Sequence, residues 1–288
     1  MQRWVEETLH DHFRFRFIAE KVFFESRTEH HHLIIFRNET FGRVMMLDGV
    51  IQVAEADEFI YHETLAHTPL FALGLHEKRR VLIIGGGDGG MLREVLRHEA
   101  VERAVLCEID RSVIDMCREH LPMISQRSYD DPRTEIVIGD GTKFVRETKE
   151  RFDVIIVDST DPIGPAEVLF TQDFYADCKR CLKPGGVLVN QCGLPFLQGW
   201  ELTQTMQRFR KSFADVGAFL IHTPTYIGGP LVLGWASDDA ALRAISQETL
   251  ADRFGKAGLA MKYYNPALHK GAFALPSYVQ ELVDKQGE

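Results

Sequence analysis

Five carboxylates stand where aliphatic runs end: Asp88, Glu108, Asp140, Asp158 and Asp161. Singly, each has an ordinary use. Asp88 or Asp161 can cap a helix or turn, and Asp140 can close an Asx turn. Together they collect like charge at one edge of a sheet. A cationic ligand is the simplest reason for that, because it offsets their repulsion.

Beside them lies Gly85-Gly86-Gly87-Asp88-Gly89-Gly90, between an aliphatic run and a helical pattern. Glycines there let the chain turn tightly and let a ligand lie against the backbone. Gly85-x-Gly87-x-x-Gly90 fits the dinucleotide pattern, and Gly85-x-Gly87-x-Gly89 fits the looser pattern of nucleoside-sulfonium enzymes. Asp88 separates the two readings. A dinucleotide puts a diphosphate at the helix N-terminus, where this carboxylate would repel it. Glu108, 23 positions after Gly85, suits hydrogen bonds to ribose hydroxyls.

The elements that must position these residues follow from periodicity. Val81–Ile84, Ala104–Glu108, Glu135–Ile138, Val154–Val157 and Val187–Asn190 are aliphatic and unalternated, as in strands buried on both faces. Helical patterns fall near 89–98, 111–120, 142–148, 171–182 and 198–215. Alternation of this kind predicts a mostly parallel α/β sheet whose ligands bind outside the strand carboxyl ends. Two further strands are predicted at Phe219–His222 and Leu231–Ala236, and a helix near 239–254. Before residue 70 the runs are short and separated by turn residues: Arg14–Phe17, Val22–Glu25, Leu33–Arg37, Arg43–Leu47 and Val50–Ala54. They predict a small antiparallel sheet, followed by a helix over 57–73. Leu73-Gly74-Leu75-His76 marks the expected boundary, giving an amino-terminal unit with its linking helix at 1–74 and a catalytic unit at 75–288.

Composition excludes several classes. The 288 residues carry 33 basic and 42 acidic side chains, a formal charge of −9, which argues against a nucleic-acid footprint. No apolar run approaches the ~20 residues of a membrane span. Met-Gln-Arg-Trp-Val-Glu-Glu at the start has no apolar signal core, so a cytoplasmic chain is expected. The five cysteines are irregularly spaced, and Cys178-x-x-Cys181 has no second pair with which to hold zinc. His30-His31-His32 lies on a strand, where neighbouring side chains point to opposite faces and cannot converge on one ion.

Several motifs together resemble the polyamine aminopropyltransferases, and among them the bacterial spermidine synthases. They are the glycine run at 85–90, Glu108-Ile109-Asp110, Tyr129-Asp130-Asp131-Pro132-Arg133, Gly139-Asp140-Gly141 and the segment from Asp158-Ser159-Thr160-Asp161-Pro162 to Pro165. Leu47–Gln52, Asp57–Glu63, Pro224-Thr225-Tyr226 and Tyr263-Tyr264-Asn265-Pro266 extend the likeness over nearly the whole chain. It implies a class I methyltransferase-like, Rossmann-type sheet behind a small antiparallel β domain. It also implies transfer of an aminopropyl group from decarboxylated S-adenosylmethionine to putrescine, giving spermidine and 5′-methylthioadenosine. The decarboxylated donor is then a co-substrate, and neither a metal nor a redox cofactor is required.

Roles come with the resemblance. It implies Asp158 as general base with Tyr61 beside it. It implies His62, Asp88, Ser159, Thr160, Asp161 and Tyr226 at the amine end, with Asp88 holding the donor's amine. It implies His31, Gln52, Gly85, Glu108, Asp140, Gly141 and Pro165 around the nucleoside. Asp88 fits in its own chemistry: it would repel the carboxylate of intact S-adenosylmethionine and accept the decarboxylated donor. Two positions depart from the pattern, with His31 where the family has Gln and Ile227 where bacterial relatives often have a second Tyr. The alternatives are another acceptor (cadaverine, agmatine, spermidine), a putrescine N-methyltransferase, or a nucleoside-binding module without activity. The resemblance also implies a homodimer or homotetramer, with the amino-terminal sheet contributing contacts.

Overall fold

The computed structural model describes residues 3–162 and 164–286. The amino-terminal part has six strands: β1 (Arg3–His10), β2 (Phe13–Ala19), β3 (Lys21–Arg27), β4 (His32–Asn38), β5 (Gly42–Leu47) and β6 (Val50–Ala54). Antiparallel alternation predicted one small sheet; the strands instead form a β1–β2 ribbon and a separate four-stranded β3–β4–β5–β6 meander. β1 escaped the sequence reading because Glu6 and Glu7 interrupt its apolar residues. The β5–β6 hairpin turns on Asp48 and Gly49, with φ of 49° and 80°. Positive φ at both turn residues matches the right-handed twist of the strands, and Asp-Gly tolerates it.

α1 (Glu58–Leu73) is buried along almost its whole length. Its Leu65, Ala66 and Leu70 share a core with Val81, Ile83, Val154 and Ile156. Seven strands make the main sheet: β7 (Arg79–Gly85), β8 (Val101–Glu108), β9 (Thr134–Ile138), β10 (Phe152–Asp158), β11 (Leu182–Gln191), β12 (Asp215–Ile221) and β13 (Leu231–Ser237). Their order is β9-β8-β7-β10-β11-β13-β12. β7 to β11 run parallel, and β13 lies antiparallel between β11 and β12. Along β7, Val81 and Ile83 enter one core while Leu82 and Ile84 enter the other. A strand with a core on each face has no polar side to show, which is why these runs do not alternate.

The covering helices are α2 (Gly90–Leu96), α3 (Arg111–His120), α4 (Pro122–Ser125), α5 (Gly141–Glu147), α6 (Gln172–Cys181) and α7 (Gly199–Arg210). Leu33, Ile35, Met45 and Leu47 of the meander pack against Val113, Cys117 and Ile124, docking the amino-terminal sheet over the strand carboxyl ends. The helix predicted over 239–254 is two, α8 (Ala240–Ala244) and α9 (Gln247–Ala257), because the Ser246 hydroxyl caps a new helix by accepting from the Thr249 N–H. α10 (Pro266–Ala272) and α11 (Ser277–Asp284) were not foreseen; both are too short for a strong period. All five cysteines are free and buried, and Cys178 and Cys181 lie on α6.

Candidate active site

The sheet order reverses between β7 and β10, and a ligand crevice is expected outside that switch point. A cavity of about 410 Å³ lies there, roofed by Glu7, Leu9, Met45, Leu47 and Val50–Gln52 from the amino-terminal sheets. Its floor is built from strand ends. β7 delivers Gly85–Asp88, β8 Glu108, β9 Gly139–Gly141 and β10 Asp158–Asp161.

The glycines exist for close approach. A Cβ on Gly85, whose φ is +81°, would sit 2.1 Å from the Asp158 carbonyl oxygen. The Gly86 N–H donates to that same oxygen at 2.8 Å, so the glycine run and the end of β10 are tied backbone to backbone. A Cβ on Gly87 would meet Glu108 Oε2 at 2.8 Å. The run therefore brings three carboxylates, Asp88, Glu108 and Asp158, around one backbone bend.

Asp158 Oδ1 accepts the Tyr61 hydroxyl at 2.8 Å. Its Oδ2 is buried and has no protein partner among the described residues. Burial, reinforced by the charge of Asp88, pushes this carboxyl up to about 6. Tyr61 stands edge-on to Tyr226, their centroids 6.2 Å apart. The Tyr226 hydroxyl donates to the Gln52 carbonyl at 2.5 Å, pinning the chain after β12 to β6. Burial and the nearby Asp158 charge hold both phenols well above their usual range, so they act as donors and not as bases.

Asp88 Oδ1 accepts the Gly90 N–H at 2.6 Å and lies 3.6 Å from His62 Nε2. Burial opposes the Asp88 charge, but His62 and the Gly90 N–H outweigh it and hold the carboxyl below its ordinary range. Glu108 Oε1 accepts the Asp110 N–H at 2.9 Å; burial nevertheless pushes it up to about 7. A carboxylate left so short of partners is ready to accept hydroxyl donors. Asp140 caps α5 through the Thr142 N–H, as an Asx turn would, and still faces the cavity.

His31 binds Asp48 through Nδ1 at 2.9 Å, which leaves Nε2 as its only polar atom for the cavity it lines. His32 instead lies 3.6 Å from Glu25, so the histidine triplet diverges. Ile227 lines the cavity as an apolar wall. Of the residues singled out from sequence, Tyr61, Asp88, Asp158, Ser159, Thr160, Asp161, Tyr226, His31, Gln52, Gly85, Glu108, Asp140 and Gly141 all face one cavity. His62 does not line it; the ring is 2% exposed, behind Asp88. The side chain of Pro165 lies outside the described residues.

Sequence reasoning missed Glu7, Gln191 and Gln198 on the wall. The Gln198 amide donates to Asp161 Oδ1 at 2.6 Å, and its carbonyl accepts the Leu194 N–H at 3.0 Å. The signal for Glu7 was its period: Val5, Glu7 and Leu9 share one face of β1. Gln198 carried no signal, because a lone Gln before a helix is ordinary.

Residues 58–245 match the Spermine/spermidine synthase domain, and residues 3–55 the Spermidine synthase tetramerisation domain. The chain is 55% identical to Polyamine aminopropyltransferase 1 of Pseudomonas aeruginosa, over 98% of both chains. It is 52% identical to the polyamine aminopropyltransferase of Ruegeria sp., over 97% of this chain and 98% of that one.

The chain belongs to the polyamine aminopropyltransferase family.

The fold of this aminopropyltransferase is that of the solved spermidine synthases. A spermidine synthase in complex with the transition-state analogue AdoDATO superposes with a TM-score of 0.91 and 37% identity, covering 98% of this chain and 96% of that one. The Thermotoga maritima enzyme gives 0.88 and 36%, covering 98% and 95%. Among the described residues, no helix of this aminopropyltransferase is long and apolar enough to cross a membrane.

Proposed function

We propose that this aminopropyltransferase is a spermidine synthase, with Asp158 as the general base. One observation carries the reading: Asp158 is fixed through Oδ1 by Tyr61, while its buried Oδ2 has no partner among the described residues beside the cavity. A carboxyl pushed up to about 6 is largely ionised at neutral pH and still basic enough to take a proton.

The reaction then runs as follows. Putrescine binds as a dication with one ammonium at Asp158. That ammonium gives its proton to Asp158, and the freed lone pair attacks the donor's aminopropyl carbon. The new C–N bond forms as the C–S bond breaks, and its electron pair returns sulfur to a neutral thioether. Spermidine and 5′-methylthioadenosine leave, and Asp158 passes its proton to solvent. The displacement needs little beyond in-line placement and a dry site.

The other residues divide by charge. Asp88 meets the donor's amine, and Asp161, Ser159, Thr160 and Tyr226 meet the acceptor. Glu108 takes the ribose hydroxyls. Asp140 and Gly141 take the adenine edge, with Gly85, Gln52 and His31 around the nucleoside. Intact S-adenosylmethionine would set its carboxylate against Asp88, which disfavours methyl transfer. A tetramerisation-type segment at 3–55 supports a homo-oligomer, which light scattering after size exclusion tests directly.

The test of acceptor and donor is an amine panel. Putrescine, cadaverine, agmatine and spermidine are each incubated with decarboxylated donor, and products are weighed by mass spectrometry. Putrescine is expected to give the highest kcat/KM. A higher value for another amine overturns the acceptor assignment.

A further inference from the structure

We infer that His62 is a positioning residue: an imidazolium locked between Glu58 and Asp88, which keeps Asp88 ionised so that Asp158 is the carboxyl that exchanges the proton. The inference rests on the base assignment above and extends it to a residue that does not line the cavity.

Geometry carries it. His62 Nδ1 lies 2.6 Å from Glu58 Oε2, and Nε2 lies 3.6 Å from Asp88 Oδ1. The ring and both acids are buried. A neutral imidazole has one N–H, so its other nitrogen would turn a lone pair toward a buried carboxylate. Only the doubly protonated ring suits both. Glu58 is itself fixed by Arg93, which donates to its two oxygens at 3.1 and 2.8 Å. Arg93 also donates to the Ile124 carbonyl at 2.6 Å, so the strut is anchored on α4. The ring cannot swing away. It rests on the glycine run, where a Cβ on Gly90 would come within 2.3 Å of its Cε1, and Tyr61 packs against it at 5.5 Å.

Charge counting gives the consequence. Asp88 and Asp158 are buried in the same site, and each is electrostatically sensitive to His62. Two such carboxyls without a nearby cation share a proton. Glu58 on its own helix and Asp88 from the loop after β7 face His62, Asp158 of β10 feels the charge of the ring, and Arg93 of α2 stands behind Glu58. Removing the positive charge at position 62 would let the Asp88–Asp158 pair keep a proton to higher pH, and the base would be lost at neutrality.

The experiment is the pH profile of His62→Gln, with both substrates varied. The acidic limb of kcat/KM is expected to move up by about one unit. That is a ~10-fold loss below the limb, recovered at alkaline pH with little change in the acceptor's KM. An equal loss at every pH would mean a merely structural role. A raised acceptor KM with an unmoved limb would mean direct contact with the amine. Either result overturns the inference. Nitrogen NMR of the histidine-labelled wild type provides a readout independent of turnover. The His62 ring is expected to be doubly protonated at about pH 8, and its titration to move to lower pH in Glu58→Gln. A singly protonated ring at that pH sinks the inference while leaving the reaction assignment intact. Absence of aminopropyl transfer by the wild type would sink the reaction assignment instead.

Discussion

The Tyr61 hydroxyl donates to Asp158 Oδ1 across 2.8 Å, and the other oxygen of that carboxylate is buried with no partner among the described residues. The first contact fixes direction, and the second atom is available for a proton. Asp158→Asn keeps the shape and removes the basicity. It is expected to lower kcat by at least ~10²-fold, with smaller changes in KM. Steady-state kinetics on the folded variant decide it; an unchanged kcat excludes Asp158 as base.

Tyr61→Phe removes one hydrogen bond to a charged acceptor and keeps the ring against Tyr226. Such a bond contributes ~1.5–3 kcal/mol, so a loss in kcat/KM of roughly 10- to 100-fold is expected. The Tyr61 hydroxyl also lowers the Asp158 carboxyl, so the acidic limb is expected to move upward in this variant. A limb that stays put would show that the hydroxyl does not act on Asp158 during turnover.

The fold was legible where a strand's burial wrote itself into continuous aliphatic runs. Val81–Ile84 and Val154–Val157 fill two cores at once, so no polar residue interrupts them. The acids at their ends were legible for the same reason, since strand ends are where a ligand can reach. The route to Glu7 was hidden, because β1 is a half-buried ribbon with charges among its apolar residues. The depth of His62 was hidden as well. Sequence put Tyr61 and His62 side by side on α1, but only packing decides that one faces the cavity and the other stands behind Asp88.

The acidic limb of kcat/KM reports the free enzyme, where Asp158 is pushed up to about 6. Its ionised form is the active one, and Glu108, pushed up to about 7, must also ionise to take the ribose hydroxyls, so activity is expected to rise with pH through about 6 to 7 and then level. A limb near the ordinary carboxylate range of about 4 would contradict the burial argument.

Stability is expected to fall as pH rises. Glu7 and Glu108 are pushed up to about 7 and Glu201 to about 9, chiefly by burial. Acids raised in the folded state bind more protons folded than unfolded, so each opposes folding increasingly as pH rises from the unfolded value to the folded one. His62, pushed up to about 10, contributes stability that is complete below about 6.5 and lost as pH rises through its folded value. These signs agree between pH 6.5 and 9; the buried His67, His98 and His269, held low, act in the opposite sense only until they are neutral in the unfolded chain, so the fall is clearest above about 7.5. Thermal melts of ligand-free protein over that window are expected to show a falling Tm. A rising Tm would contradict the burial of these acids without a compensating cation.

Asp88→Asn keeps the hydrogen-bond geometry and removes the charge that separates the two donors. The ratio of kcat/KM for decarboxylated over intact S-adenosylmethionine is expected to drop by ~10-fold or more, mainly through a higher KM for the decarboxylated donor. An unchanged ratio would move donor selection to another residue.

The most direct single measurement is product mass balance with both donors present. Purified protein is given putrescine with equal amounts of decarboxylated and intact S-adenosylmethionine. The predicted result is spermidine and 5′-methylthioadenosine in equal yield, with intact donor untouched. N-methylputrescine with S-adenosylhomocysteine, or consumption of the decarboxylated donor without spermidine, would contradict the account.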